Sequence, residues 1–251
     1  MKYSKIEWTE ATWNPSTGCS KVSAGCKNCY AETMAKRLQA MGAPGYENGF
    51  EFTLMPDRLD MPLKIKKPTK FFVNSMSDLF HEKMPFDFLD KVFDVMEQTV
   101  HHKYQILTKR EDRLIEYSKH RAMPGNVWLG VSVESAKTKH RIEVLRHIPA
   151  CIRFLSIEPH IADVGILDLR GIHWVIVGGE SGPKARPMRP EWAFQIKQQC
   201  QEQSVAFFFK QWGAWGEDGV RRSKRANGRL LLGQEWNEQP NITSNGTRET
   251  V

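Results

Sequence analysis

The chain has 251 residues, 40% hydrophobic and 26% charged, with a mean hydropathy of −0.50. No apolar run approaches the ~18 residues of a membrane span, which excludes a helical membrane protein, and the length fits one large α/β domain or two small ones. Lys plus Arg exceed Asp plus Glu, 36 to 29, giving a net charge of +7 and a pI of about 9.1; this is permissive for nucleic acid or another polyanion without establishing one.

The opening "MKYSKIEWTEATWNP" lacks the apolar core of a signal peptide, so a cytoplasmic location is expected. "ATWN" (11–14) is a weak strand candidate. "GCSKVSAGCKNCYAE" (18–32) then carries three of the five cysteines, Cys19, Cys26 and Cys29. In a reducing compartment such a cluster is expected to bind metal or do chemistry rather than form disulfides. Ala31, Met34, Ala35 and Leu38 follow the spacing of one inward helix face. "PLKIKKPTK" (62–70) is a basic run, and "KFFVNS" (70–75) is the first clear strand.

Leu89, Val92, Phe93 and Met96 mark the next helix, before the strand "YQILT" (104–108). "VWLGVSV" (127–133) follows, then a helix over 136–148 with Ile142 and Leu145 inward. "CIRFLSI" (151–157) and "IHWVIVGG" (172–179) are the next strands. Pro190 opens a helix marked by Trp192, Ile196 and Cys200, and "SVAFFFKQW" (204–212) is the last strand. Cys151 and Cys200 are read as buried small hydrophobes. From about 213 the chain is rich in Gly, Asn and charge, includes the basic run "VRRSKRANGR" (220–229), and reads as a loop-rich extension or loose tail. Most of the eight tryptophans are expected in the core, with any exposed ones free to stack on bases.

The strands are short and apolar throughout, as strands buried on both faces are, and helices alternate with them. Six or seven parallel strands fit a full or partial (β/α) barrel or an open doubly wound sheet; the reading adopted is a partial parallel barrel over 1–215 with a loop-rich basic extension over 216–251. In such a barrel the active site lies at the C-terminal strand ends. There the chain places Asn74, Ser75, Ser77 and Asp78; Thr108, Lys109 and Arg110; Ser132, Glu134 and Ser135; Glu158 and His160; Gly179, Glu180 and Ser181; and Lys210 and Gln211. This rim suits a small zwitterion bearing a ribose. Lys109 or Arg110 would pair with a carboxylate, Glu134 would accept from ribose hydroxyls, and the glycines of "GGESG" (178–182) would let backbone approach a ligand.

The cysteine spacing C-x6-C-x2-C serves zinc or an iron–sulfur cluster. Zinc wants a fourth protein ligand, and the closest histidine in sequence is His81; a cubane held by three cysteines keeps one iron open for a ligand.

These segments together make the chain resemble the radical S-adenosylmethionine superfamily, and within it a phage- and bacteria-borne three-cysteine-motif group with C-x6-C-x2-C-Y. The blocks that carry the resemblance are the cysteine segment, "NSMSDLFH", "QILTKR", "NVWLGVSVE", "RFLSIEP", "WVIVGGESG" and "FFFKQWG", from about residue 7 to 216. The usual superfamily spacing is C-x3-C-x2-C, so this loop is three residues longer with the same ligand count. The resemblance implies that Cys19, Cys26 and Cys29 hold a 4Fe–4S cluster and that Tyr30 lies near the adenine of S-adenosylmethionine. It implies reductive cleavage of that cofactor to a 5′-deoxyadenosyl radical, with electrons from an external donor.

A further resemblance, to spore photoproduct lyase, a DNA-repair member of the superfamily, matches Ser75, Thr108–Lys109 and Ser132–Ser135 to the cofactor site. "GGE" occurs only late in this chain, and Ser75, Ser77 or Asp78 takes the early position where other members bind the methionine amino group. DNA or RNA is the expected substrate, with Glu158, Glu180 and Lys210 as substrate-side groups. Two alternatives stay open: a zinc-stabilised nucleic-acid-binding module without catalysis, and a radical enzyme acting on a small nucleoside or peptide. The residues fix no oligomeric state.

Overall fold

A computed structural model describes residues 4 and 6–240; the last eleven residues of the expected extension lie outside the described residues. Seven strands form one parallel sheet in the order β1-β4-β5-β6-β7-β8-β9: β1 (Ala11–Trp13), β4 (Lys70–Val73), β5 (Lys103–Thr108), β6 (Val127–Ser132), β7 (Ile152–Ile157), β8 (Trp174–Gly178) and β9 (Ala206–Gln211). A two-residue antiparallel ladder joins β2 (Ser16–Thr17) to β3 (Thr53–Leu54) beside it. The sheet curls into a half-barrel, as the sequence predicts.

Helices supply five of the six crossovers that parallel pairing demands, the connection from β7 to β8 having none: α1 (Tyr30–Ala40), α2 (Phe86–Gln98), α3 (Glu111–His120), α4 (His140–His147) and α5 (Pro190–Glu202). The predicted inward faces of α2 and α4 are buried, as are Ile196 and Cys200 of α5. Two details differ. Met34 of α1 is exposed, because this helix buries mainly Ala31 and Ala35. α3 has no counterpart in the sequence reading, although acidic residues open it, Lys119 and His120 close it, and Leu114 and Tyr117 form its buried stripe.

Alternation along the strands divides the sheet. Outward residues such as Ile106, Leu129, Leu155, Val175 and Phe207 join the helices in the main core. Inward residues nearer the N-terminal strand ends, Phe72, Trp128, Phe154, Trp174 and Phe208, fill the barrel together with Trp8. Gly130 of β6 makes room for one of them, since a Cβ there would lie 2.5 Å from the Phe154 ring. The next inward layer toward the C-terminal ends is polar: Ser132, Ser156, Glu158 and Lys210, all on one cavity wall.

The segment after β9 is not a loose tail as far as residue 240. The Trp212 indole donates to the Leu230 carbonyl at 2.7 Å, the Phe209 amide to the Trp236 carbonyl, and the Trp174 indole to the Glu238 carbonyl. These bonds cover the free edge of β9, which explains an ordered segment without hydrophobic periodicity. Cys151 is exposed rather than buried, because it sits just before β7 instead of inside it. Among the described residues no tryptophan is exposed; five of the eight are buried. Among the described residues no helix is long and apolar enough to cross a membrane.

Candidate active site

A cavity of about 390 Å³ opens at the C-terminal strand ends. Its wall includes Cys19, Cys26, Cys29, Tyr30, Ser75, Ser77, Asp78, Lys109, Ser132, Glu158, Glu180 and Lys210. Of the strand-end residues expected at the site, Glu134, Arg110, Ser135 and His160 are missing from it. Trp8, Phe72 and Leu107 give the cavity an apolar floor.

The cysteine loop is tied down from several strand ends. Gly18, just before Cys19, has a φ of +74°, and a Cβ there would lie 2.0 Å from the Glu51 carbonyl oxygen, so this entry requires glycine. Ser77 donates to the Gly18 carbonyl at 2.6 Å. Beyond β5, Arg110 holds the carbonyl and hydroxyl of Ser20, at 3.1 and 2.6 Å, pairs with Glu82, and comes within 4.0 Å of Cys19 Sγ. Arg110 is thus committed to the loop and is not the carboxylate partner that the sequence left open. Burial and the nearby Asp78 carboxylate push the Cys19 thiol up to about 11, only partly opposed by Arg110.

Glu134, expected to accept from a ribose, instead stands behind the loop. Its buried carboxylate accepts from the Ser23 hydroxyl at 2.5 Å and from Arg141 at 3.3 Å. Gly25 lies against it: a Cβ there would come 2.5 Å from Glu134 Cγ. Glu180 reaches the wall, but Arg186 grips both of its oxygens and Asn28 of the loop donates to it at 3.1 Å. Burial pushes the Glu180 carboxyl up, while hydrogen bonds from Arg186 and Asn28 outweigh this and hold it below the usual carboxylate range. Arg186 also donates to the Ala24 carbonyl. Both carboxylates therefore brace the loop and leave no free oxygen toward the cavity for the roles expected of them.

Asp78 is likewise engaged, accepting from the Thr108 hydroxyl at 2.7 Å and from the amides of Phe80 and Lys109, each at 3.0 Å. It fixes the end of β4 to the end of β5 and aims Lys109. The Lys109 ammonium makes no ion pair among the described residues and lies on the cavity wall. Ser75 donates to Asn14, and its carbonyl accepts from the Tyr30 hydroxyl. Ser132 is fully buried with no partner for its hydroxyl, at the cavity wall. Ser135 lies off the wall and caps the 3-10 turn Ala136–Thr138.

Also on the cavity wall, Lys210 donates to both oxygens of Glu158, at 2.7 and 2.9 Å. The paired glycines lie against packed neighbours, and Gly179 also lines the cavity. Gly178 clears the way for Glu158, and a Cβ on Gly179 would meet the Trp212 carbonyl at 1.9 Å. His160 is off the wall and fully buried, and burial pushes its imidazole down to about 4. His81, the nearest histidine in sequence to the cysteines, accepts the Lys83 amide on Nδ1 and sets Nε2 3.1 Å from the Ser20 hydroxyl. Both of its nitrogens are used within the loop framework. Among the described residues, no three or more His, Cys, Asp or Glu side chains are gathered as they would be around a single metal ion.

Over residues 3–240 the chain matches the model of a family described as "Protein of unknown function (DUF5131)". The chain belongs to that family. No curated protein matches it. Among solved structures its fold is similar to "Spore photoproduct lyase complexed with dinucleoside spore photoproduct", with a TM-score of 0.50 and 14% identity over 80% of this chain and 63% of that one. A cysteine-to-serine variant of spore photoproduct lyase gives the same TM-score of 0.50, with 15% identity over 80% of this chain and 64% of the other. The likeness is one of fold, and the chain spans less than two thirds of the length of these structures.

Several cavity residues have no place in the sequence reading. Ser156 was hidden inside the run "CIRFLSI", where only strand parity shows that it faces inward with Glu158. Asn28, on the wall, joins Arg186, which is off it, in the brace around Glu180. Glu7 and Lys224 pair at 2.9 Å across the mouth, from opposite ends of the chain, a contact that no local pattern announces.

Proposed function

We propose that this protein is a radical S-adenosylmethionine enzyme acting on nucleic acid, in repair or modification. The observation that carries the reading is that three thiols and the unpaired Lys109 ammonium line one cavity at the strand ends of a parallel half-barrel. The fold likeness to spore photoproduct lyase supports it. The donor set fits the implied cofactors: three cysteines from one braced loop, and at the wall a buried Ser132 hydroxyl still lacking a partner.

In this reading Cys19, Cys26 and Cys29 hold a 4Fe–4S cluster with one iron left for the cofactor. Lys109 binds the cofactor carboxylate, its backbone fixed by Asp78. Tyr30 and Ser75, joined by their own hydrogen bond, flank the adenosyl portion, and Ser132 offers its hydroxyl to it. When bound, the cluster supplies the electron that cleaves S-adenosylmethionine to methionine and a 5′-deoxyadenosyl radical, which takes hydrogen from the substrate. The chain excludes water with the apolar floor of Trp8, Phe72 and Leu107, and presents Glu158 and Lys210 to the substrate.

The test is anaerobic reconstitution with iron and sulfide, followed by assay of 5′-deoxyadenosine with and without DNA or RNA. Bound iron and sulfide with 5′-deoxyadenosine release under reducing conditions is the expected result. One zinc per chain and an intact cofactor would overturn it. Lys109→Ala is expected to weaken cofactor binding ten- to a hundred-fold, as loss of a charge-assisted bond of about 1.5–3 kcal/mol implies, with cluster content retained. Loss of the cluster in that variant would contradict the role given to Lys109.

A further inference from the structure

The two basic runs of the sequence end up at opposite ends of the sheet. "PLKIKKPTK" leads into the start of β4 and so lies at the N-terminal strand ends, away from the cavity. "VRRSKRANGR" lies at the cavity mouth, where Lys224 belongs to the cavity wall. There it meets a second segment, "SGPKARPMR" (181–189). Arg221 donates to the Pro183 carbonyl, and the Trp215 indole donates to the Ala185 carbonyl at 2.8 Å. Together the two segments carry eight basic side chains and no acidic one.

They line a shallow dish bounded by Gly182, Pro183, Ala214, Arg221, Arg222 and Lys224, and Lys224 also lines the main cavity. Surface and cavity are thus joined through a cation. The charge is only partly answered within the fold. Arg222 pairs with Asp218 and Lys224 with Glu7, while Lys184 and Arg225 are exposed and make no ion pair among the described residues. A row of exposed cations beside a cavity with an aromatic floor is the combination that holds a single-stranded backbone while a base is taken out of the solvent.

We propose that this lip, built from residues 181–189 and 220–229, is the docking strip for the phosphate backbone of a single-stranded nucleic acid whose nucleotide enters the cavity. The proposal deepens the nucleic-acid reading above and rests on it. Phosphates contact Lys184, Arg222 and Arg225, and Lys224 marks the turn from the strip into the cavity.

The test is fluorescence anisotropy of the reconstituted chain with a short labelled single strand, as DNA and as RNA, over a salt series. The triple variant K184Q/R222Q/R225Q is expected to bind at least ten-fold more weakly near 0.1 M salt. The slope of log K against log salt should flatten by about 2, near 0.7 for each phosphate that is no longer neutralised. K64Q/K66Q/K67Q, in the basic run at the other end of the sheet, should bind as the parent does. If the triple variant melts early, K184Q/R225Q replaces it, since neither side chain holds an ion pair. Unchanged affinity and slope in these variants, an equal loss in the K64Q/K66Q/K67Q variant, or displacement of the strand by polyglutamate as readily as by unlabelled strand would overturn the assignment. The enzyme reading is scored separately, by 5′-deoxyadenosine formed by the parent protein without nucleic acid, so either can fail alone.

Discussion

Lys210 sets its ammonium on both oxygens of Glu158, at 2.7 and 2.9 Å, reaching from β9 to the end of β7 over Gly178 of the strand between. A Cβ at position 178 would lie 3.2 Å from Glu158 Cδ, so a side chain there would require Glu158 to shift by a few tenths of an ångström. With 16% and 20% of their side-chain surfaces exposed, the two groups stand between a surface ion pair and a buried one. Lys210→Met leaves Glu158 shielded and unpaired, and is expected to lower the stability of the apo-protein by about 1–3 kcal/mol in urea denaturation. Glu158→Gln combined with Lys210→Met should cost less than the two single losses added together. Strict additivity would mean that the side chains do not interact in solution.

The barrel interior offers a second test, independent of any cofactor. The position of Gly130 leaves no room for a side chain against the Phe154 ring, 2.5 Å from where its Cβ would be. Gly130→Ala is expected to destabilise the protein by about 1–3 kcal/mol through overpacking. Phe154→Leu creates space at the same place, so the double variant should be more stable than the sum of the single effects predicts. A urea midpoint for Gly130→Ala equal to that of the parent would show that the interior yields more easily than its packing indicates.

The sequence was legible where one strand or helix carries its own signal. All six apolar runs are strands, and the weak "ATWN" is the edge strand β1, because burial on both faces leaves an uninterrupted apolar run. Strand-end polarity likewise marked the wall that Lys109, Ser132, Glu158 and Lys210 share. It could not tell a side chain facing the cavity from one used up behind it. Glu134 and Glu180 follow strands just as Glu158 does, yet their partners Ser23 and Arg141, and Arg186 and Asn28, come from other segments. The same limit hid the closed edge of β9, which depends on single indole and amide bonds to residues 230–238.

The Glu180 brace carries a pH signature. Burial raises its carboxyl, but the bonds from Arg186 and Asn28 lower it further, so the folded value lies below the unfolded one. Its stabilising contribution is therefore complete above the unfolded pKa, about 4.3, and is lost as pH falls through the lowered folded value. Glu180→Gln removes that titration. The stability gap between parent and variant should be widest near neutral pH and close as the solution is acidified below about 4.3, read from urea midpoints across a pH series. A gap that stays constant across the series would mean that the Arg186 contact does not depend on the carboxylate charge.

The support of the cysteine loop comes from side chains beyond β5, β6 and β8: Arg110, Glu134 and Glu180. Gly25 is the point where loop and support touch, since an added Cβ would lie 2.5 Å from both Cγ and Oε1 of Glu134. Gly25→Ala must displace either the loop backbone or the carboxylate that holds Ser23, at an expected cost of about 1–3 kcal/mol to the apo-protein. All three thiols remain in the chain, so a thiol-reactive dye in denaturant should count the same number as in the parent. Iron and sulfide bound per chain after anaerobic reconstitution should nevertheless fall, because the thiols are no longer presented in the braced arrangement. Iron content equal to that of the parent would show that the loop sets its own shape, and that Glu134 is a bystander to it.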